Sequence, residues 1–123
     1  MLLTACTFTV TLPKEPVFAI PIDSVAQPLH QLVTCERFDF TGREVTRDGK
    51  KMARFELDVI NGKGITDDQA MKVLAVKMGS VIKKALKDTS EYQQYRIVFM
   101  QVKGNSTSSQ TVSTGITIES KYL

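Results

Sequence analysis

The stretch "TFTVTLP" alternates strictly, with Phe8, Val10 and Leu12 on one face and Thr7, Thr9 and Thr11 on the other. A period of two built from β-branched residues predicts a half-buried strand. Pro13 ends it. From Pro13 to Leu32 the pattern fades, because Pro13, Pro16, Pro21 and Pro28 each remove a backbone donor and fix φ. An extended connection is expected there, with "DSVAQPLHQL" offering at most one helical turn capped by Asp23 or Ser24. Alternation returns in "CERFDFTGREVT", where Phe38 and Phe40 oppose Arg37 and Asp39. It continues in "KMARFELDVI", with Ala53, Phe55, Leu57 and Val59 on one side. Between the two runs lies Asp48-Gly49, a favoured two-residue turn because both positions tolerate positive φ. A hairpin with one face on a core and one in water follows. Gly42, inside its first strand, predicts a bulge.

The period then changes. Beyond "NGKGI", Thr66 is an expected helix N-cap with Gln69 as its capping-box partner. Asp67 and Asp68 fall in the first turn, where they complement the helix dipole. Met71, Leu74, Met78, Val81, Ile82 and Ala85 recur at helical spacing and predict an amphipathic helix from Asp67 to Lys87. Ala75 and Gly79 are small and suit close approach of that helix to a sheet. "YQQYRIVFMQVKG" is apolar on both faces, with Ile97 and Phe99 one way and Val98, Met100 and Val102 the other. That marks a central strand, or one whose second side something covers. The polar loop "GNSTSSQ" leads to a last strand with Val112, Ile116, Ile118 and Tyr122 on one face. The whole predicts an α+β fold: a mostly antiparallel sheet of about five strands with one long amphipathic helix packed on one face. Residues 7–123 form a single domain in this reading, as the chain length suggests.

Composition narrows this only a little. Apolar residues at 42% and charged residues at 24% are ordinary globular usage and exclude disorder of the whole chain. A net charge of +3 is a weak pull toward nucleic acid or anionic lipid. No stretch approaches the ~20 apolar residues of a membrane-spanning helix. Cys6 and Cys35 are the only cysteines, too few for a disulfide scaffold and without zinc-ligand spacing. They bridge each other in an oxidising compartment or stay small core residues in a reducing one. No metal site or cofactor motif is expected.

Candidate chemistry is sparse. Lys72, Lys83, Lys84 and Lys87, with Lys63 and Lys77 nearby, form a basic helical face suited to phosphates. No aromatic is interleaved to stack on bases, so a solvated face is the plainer reading and nucleic acid is not the expected partner. "NGKGIT" precedes a helix N-terminus as phosphate loops do, but it lacks P-loop spacing and reads as a turn. Asp67 and Asp68 serve the dipole more plainly than acid-base work. His30, the sole histidine, would need a cleft shared with Asp39 or Glu36 to support hydrolysis. Asn105-Ser106-Thr107 is a glycosylation sequon of consequence only in a eukaryotic secretory setting.

Leu3-Thr4-Ala5-Cys6 resembles the lipobox of small bacterial lipoproteins, with an apolar residue three before the cysteine and small residues between. The resemblance implies cleavage between Ala5 and Cys6 and acylation of Cys6. Residues 1–6 would then be the remnant of a signal whose basic and apolar regions lie upstream. Thr7 does not match the aspartate-based inner-membrane retention signal. The implied location is the cell envelope, at the outer membrane of a Gram-negative cell. The function expected with it is non-enzymatic: a binding or structural module presenting a sheet face to an envelope protein, or to a second copy in a homodimer through Val98, Met100 and Val102. The alternative is a cytoplasmic module, with Cys6 an ordinary strand residue, binding nucleic acid or a phosphorylated ligand through Lys72, Lys83, Lys84 and Lys87.

Overall fold

The computed structural model describes residues 9–65, 67–104 and 109–123. Its elements are β1 (Thr9–Pro13), α1 (Ile22–Leu32), β2 (Arg37–Arg47), β3 (Lys50–Ile60), α2 (Asp68–Ala85), β4 (Gln94–Gly104), β5 (Ser109–Glu119) and a 3-10 turn at Ser120–Tyr122. The strands form one sheet in the order β1-β2-β3-β4-β5. Three of the neighbouring pairs are antiparallel and β3–β4 is parallel. A parallel neighbour needs a long crossover, and α2 supplies it. The fold is α+β and the sheet mostly antiparallel, as expected.

Asp48 and Gly49 take φ of 52° and 78°, so the predicted turn closes the β2–β3 hairpin. Gly42 is not a bulge. It pairs with Phe55 in an unbroken register from Arg37↔Ile60 to Arg47↔Lys50. Glycine is required there because a Cβ would collide with the Lys14 carbonyl oxygen and the Tyr92 hydroxyl. The Lys14 amide donates to the Gly42 carbonyl at 2.9 Å, and the Tyr92 hydroxyl donates to the Lys14 carbonyl at 2.6 Å.

The segment between β1 and β2 differs most from expectation. It holds an 11-residue helix, α1, in place of an extended connection. Pro21 stands just before the helix, where a fixed φ is no obstacle. Pro28 lies inside it, and Val25 and Leu29 form a buried i, i+4 pair. Burial of that apolar pair outweighs the hydrogen bond lost to proline. There are thus two helices among the described residues, and α2 spans 18 residues from Asp68 to Ala85. Its N-cap is Asp67, whose carboxylate accepts from the Ala70 amide at 2.7 Å. The expected cap Thr66 lies outside the described residues. Lys87 is past the helix end, where its amide donates to the Val17 carbonyl at 2.9 Å. Gly79 makes room for the Leu123 side chain. Tyr122 belongs to the 3-10 turn and is exposed, not aligned with Val112 and Ile116.

The core lies between one face of the sheet and the helices. Phe55, Leu57 and Val59 of β3, Tyr95, Ile97 and Phe99 of β4, and Ala75, Met78 and Ile82 of α2 are buried together. Leu29 of α1 joins the same cluster, with Phe38 and Phe40 packed against it. Phe55 is its aromatic centre, with ring centroids 5.5 Å from Tyr92, 5.9 Å from Tyr95 and 6.1 Å from Phe40. Both helices therefore cover the same side of the sheet.

Candidate binding face

Alternation along each strand sends the intervening residues to the opposite side, which no helix among the described residues covers. Register aligns them in rows across β2, β3, β4 and β5. One row is Arg43, Arg54, Gln94 and Glu119; the next is Thr41, Glu56, Arg96 and Thr117; the next is Asp39, Asp58, Val98 and Gly115. Arg37, Ile60, Met100 and Ser113 follow. The rows are laced together by polar contacts. Arg54 donates to Gln94 Oε1 through Nε at 3.2 Å, and Gln94 Nε2 donates to Glu119 Oε1 at 2.9 Å. Arg96 lies 3.8 Å from Glu56 and donates to Thr117 Oγ1 at 3.4 Å. Its guanidinium occupies the space a Cβ at Gly115 would need, beside Val98.

Asp39 and Asp58 face each other directly across β2 and β3, with Glu56 two residues along the strand. Asp39 is matched by Arg37 at 3.3 Å and Glu56 by Arg96. Among the described residues Asp58 has no such partner, and its Oδ1 is buried without a hydrogen bond. Burial pushes the Asp58 carboxyl up to about 6, helped by the charge and side-chain hydrogen bonding of neighbouring Glu56 and by the charge of Asp39. Arg43 pulls weakly the other way. A half-buried acid that titrates well above its usual range is thus built into the middle of the open face.

The residues singled out from sequence are dispersed. Val98 is buried in the single chain, retaining 5% of its surface, while Val102 retains 41% and Met100 is half-buried. On α2, Lys72 and Lys84 are exposed alongside Val73 and Val76. Lys83 is engaged elsewhere: its Nζ donates to the Ser120 carbonyl at 2.8 Å and to the Leu123 oxygen at 3.3 Å. The His30 ring packs on Phe38 at a 60° tilt with centroids 4.7 Å apart, on the helix side of the sheet. Asp39 alternates to the open side, so the sheet separates the two. Glu36 accepts from Asn61 Nδ2 at 2.8 Å.

The turn "NGKGI" uses its polar groups internally. Asn61 takes a φ of 53° and its Oδ1 accepts from the Val102 amide at 2.8 Å. Gln101 donates to the Gly62 carbonyl at 2.8 Å. The turn reading holds. Among the described residues Cys35 has no disulfide partner; it is half-buried, its thiol is raised by burial, and its Sγ lies 3.6 Å from the Arg37 carbonyl. Cys6 and the sequon at Asn105 lie outside the described residues. Among the described residues, no cluster of three or more His, Cys, Asp or Glu is placed to hold a metal, and no helix is long and apolar enough to cross a membrane. Sequence reasoning missed the open-face network. Its signal was present as alternating charges in "RFDFTGREVTR" and "KKMARFELDVI", but which charges align is set by register.

The fold and this face define a small α+β domain with a one-sided helix layer and a patterned, uncovered sheet surface. Comparison with family models, with curated proteins and with solved structures finds no match to the chain.

Proposed function

We propose that the protein is a non-enzymatic binding module of the cell envelope, held to the membrane through acylated Cys6, that presents its open sheet face to a protein partner or a second copy. The observation that carries the reading is the placement of α1 and α2 on one side, so that no described helix covers the other side of a five-stranded sheet. That face carries half-buried Met100 and exposed Val102, beside the already buried Ile60 and Val98, with charged rows on its flank. Apolar centres with polar surroundings are the usual layout of protein contact surfaces. The lipobox-like Leu3-Thr4-Ala5-Cys6 supports the anchor.

The second-copy form is tested by sedimentation of the wild type and Met100→Glu. Met100 is the residue to change because it is half-buried, whereas a charge at buried Val98 would also disturb folding. A wild-type dimer that becomes monomeric in the variant supports self-association. A monomeric wild type sinks that form and leaves an envelope protein as the partner.

A further inference from the structure

The hairpin end of the open face carries an unusual charge arrangement. Arg43 stands directly opposite Arg54, and Arg47 directly opposite Lys50, on the same face. Like charges placed opposite across strands repel. The two pairs flank one apolar pair, Val45 and Met52. Among the described residues, none of the four cations forms an ion pair. Arg54 alone has a neutral partner, Gln94. The arrangement forms a concavity of about 460 Å³ lined by Thr9, Val45, Arg47, Lys50, Met52 and Arg54, and Asp48 in the turn is the one acid on its wall. Lys51 lies on the other face of the strand and is paired with Glu44 at 4.0 Å.

The chain enters the sheet at this same end. Thr9, the first residue of β1, pairs with Arg47. Thr9 is three residues after Cys6, a reach of at most about 11 Å when fully extended. An acylated Cys6 therefore brings the basic hairpin to the bilayer surface. We propose that the β2–β3 hairpin end, through Arg43, Arg47 and Lys50 around the Val45–Met52 pair, is a contact surface for the headgroups of anionic phospholipids. It rests on the anchored reading given above and supplies its second signal. Juxtamembrane cations and a lipid chain act together in this way, each basic residue strengthening attachment several-fold.

The full chain carrying Cys6→Ser, and so unacylated, tests the surface without the anchor. It is titrated with vesicles of phosphatidylglycerol and phosphatidylcholine, and with vesicles of phosphatidylcholine alone. Binding is expected to the anionic vesicles only, and to weaken as salt shortens the screening length. Arg43→Gln/Arg47→Gln/Lys50→Gln lowers that affinity tenfold or more. Lys72→Gln/Lys77→Gln/Lys84→Gln removes the same charge from α2 and leaves it within about twofold. All the changed side chains are exposed, and coincident thermal melts confirm the folded state. Equal binding to neutral vesicles, or equal loss from both triple variants, overturns the proposal. Displacement by millimolar inorganic phosphate also overturns it, in favour of a site for a single free ion. Intact mass from the native host reads Cys6 acylation separately, so failure of the anchor and failure of the hairpin surface are distinguishable.

Discussion

Asp58→Asn should stabilise the protein at neutral pH and do little in acid. The folded-state value is raised from 3.8 to about 6. Below the lower value the carboxyl is protonated whether the chain is folded or not, and it costs nothing. As pH rises between the two values the unfolded chain ionises first, so folding loses stability; above about 6 the full cost is present. Roughly two pK units at 1.36 kcal/mol each set a ceiling of about 3 kcal/mol. Partial solvent access and the sharing of charge with Glu56 reduce this to ~1–2 kcal/mol. Asparagine keeps the shape and removes the charge. Urea unfolding of both proteins from pH 4 to pH 8 reads the difference directly. The variant should gain ~1–2 kcal/mol over the wild type at pH 8 relative to pH 4. A difference that stays constant with pH would refute the reasoning, because it would mean that Asp58 titrates alike in both states.

Other expectations come from the core and the chain's closing contacts. Tyr95 and Tyr92 are both buried, yet the Tyr95 hydroxyl lacks a partner while the Tyr92 hydroxyl donates to Lys14. Tyr95→Phe should therefore be neutral or stabilising, and Tyr92→Phe should cost about 1 kcal/mol in denaturant melts. Gly42→Ala forces a methyl into the Lys14–Tyr92 contact and should cost ~1–3 kcal/mol, read as a lowered thermal midpoint. Lys83→Ala frees the Ser120 and Leu123 carbonyls, so hydrogen exchange should quicken over residues 120–123 with little change on β3. Intact mass of the protein from its native host should show acyl chains on Cys6; an unmodified amino-terminal peptide containing Cys6 would remove the anchor from the account.

The sheet was largely legible because its strands alternate cleanly. Phe38, Phe40, Phe55, Leu57 and Val59 declare the core side without help from tertiary context, and Asp48-Gly49 declares the turn. Helix α2 was legible from its period. Helix α1 was not, because prolines dominate the local signal while Val25 and Leu29 contribute only one apolar pair. Its stability is tertiary: Leu29 packs into the core cluster. The parallel β3–β4 pair follows from the crossover and carries no local mark. Within the lysine face, nothing local shows that Lys83 is tied to the oxygens of Ser120 and Leu123. The Asp39–Asp58 opposition depends on register, which fixes partners that lie 19 residues apart in the chain.

Site-specific photo-crosslinking in the native host decides whether the open sheet face is the binding surface. A crosslinker at Met100 or Thr117 reports from the open sheet face, and one at Lys77 reports from exposed α2. The account predicts discrete crosslinked species from the two sheet positions, to one envelope protein or to a second copy, and none from Lys77. Crosslinks from Lys77 alone, with both sheet positions silent, would contradict it and return the binding surface to the lysine-bearing helix.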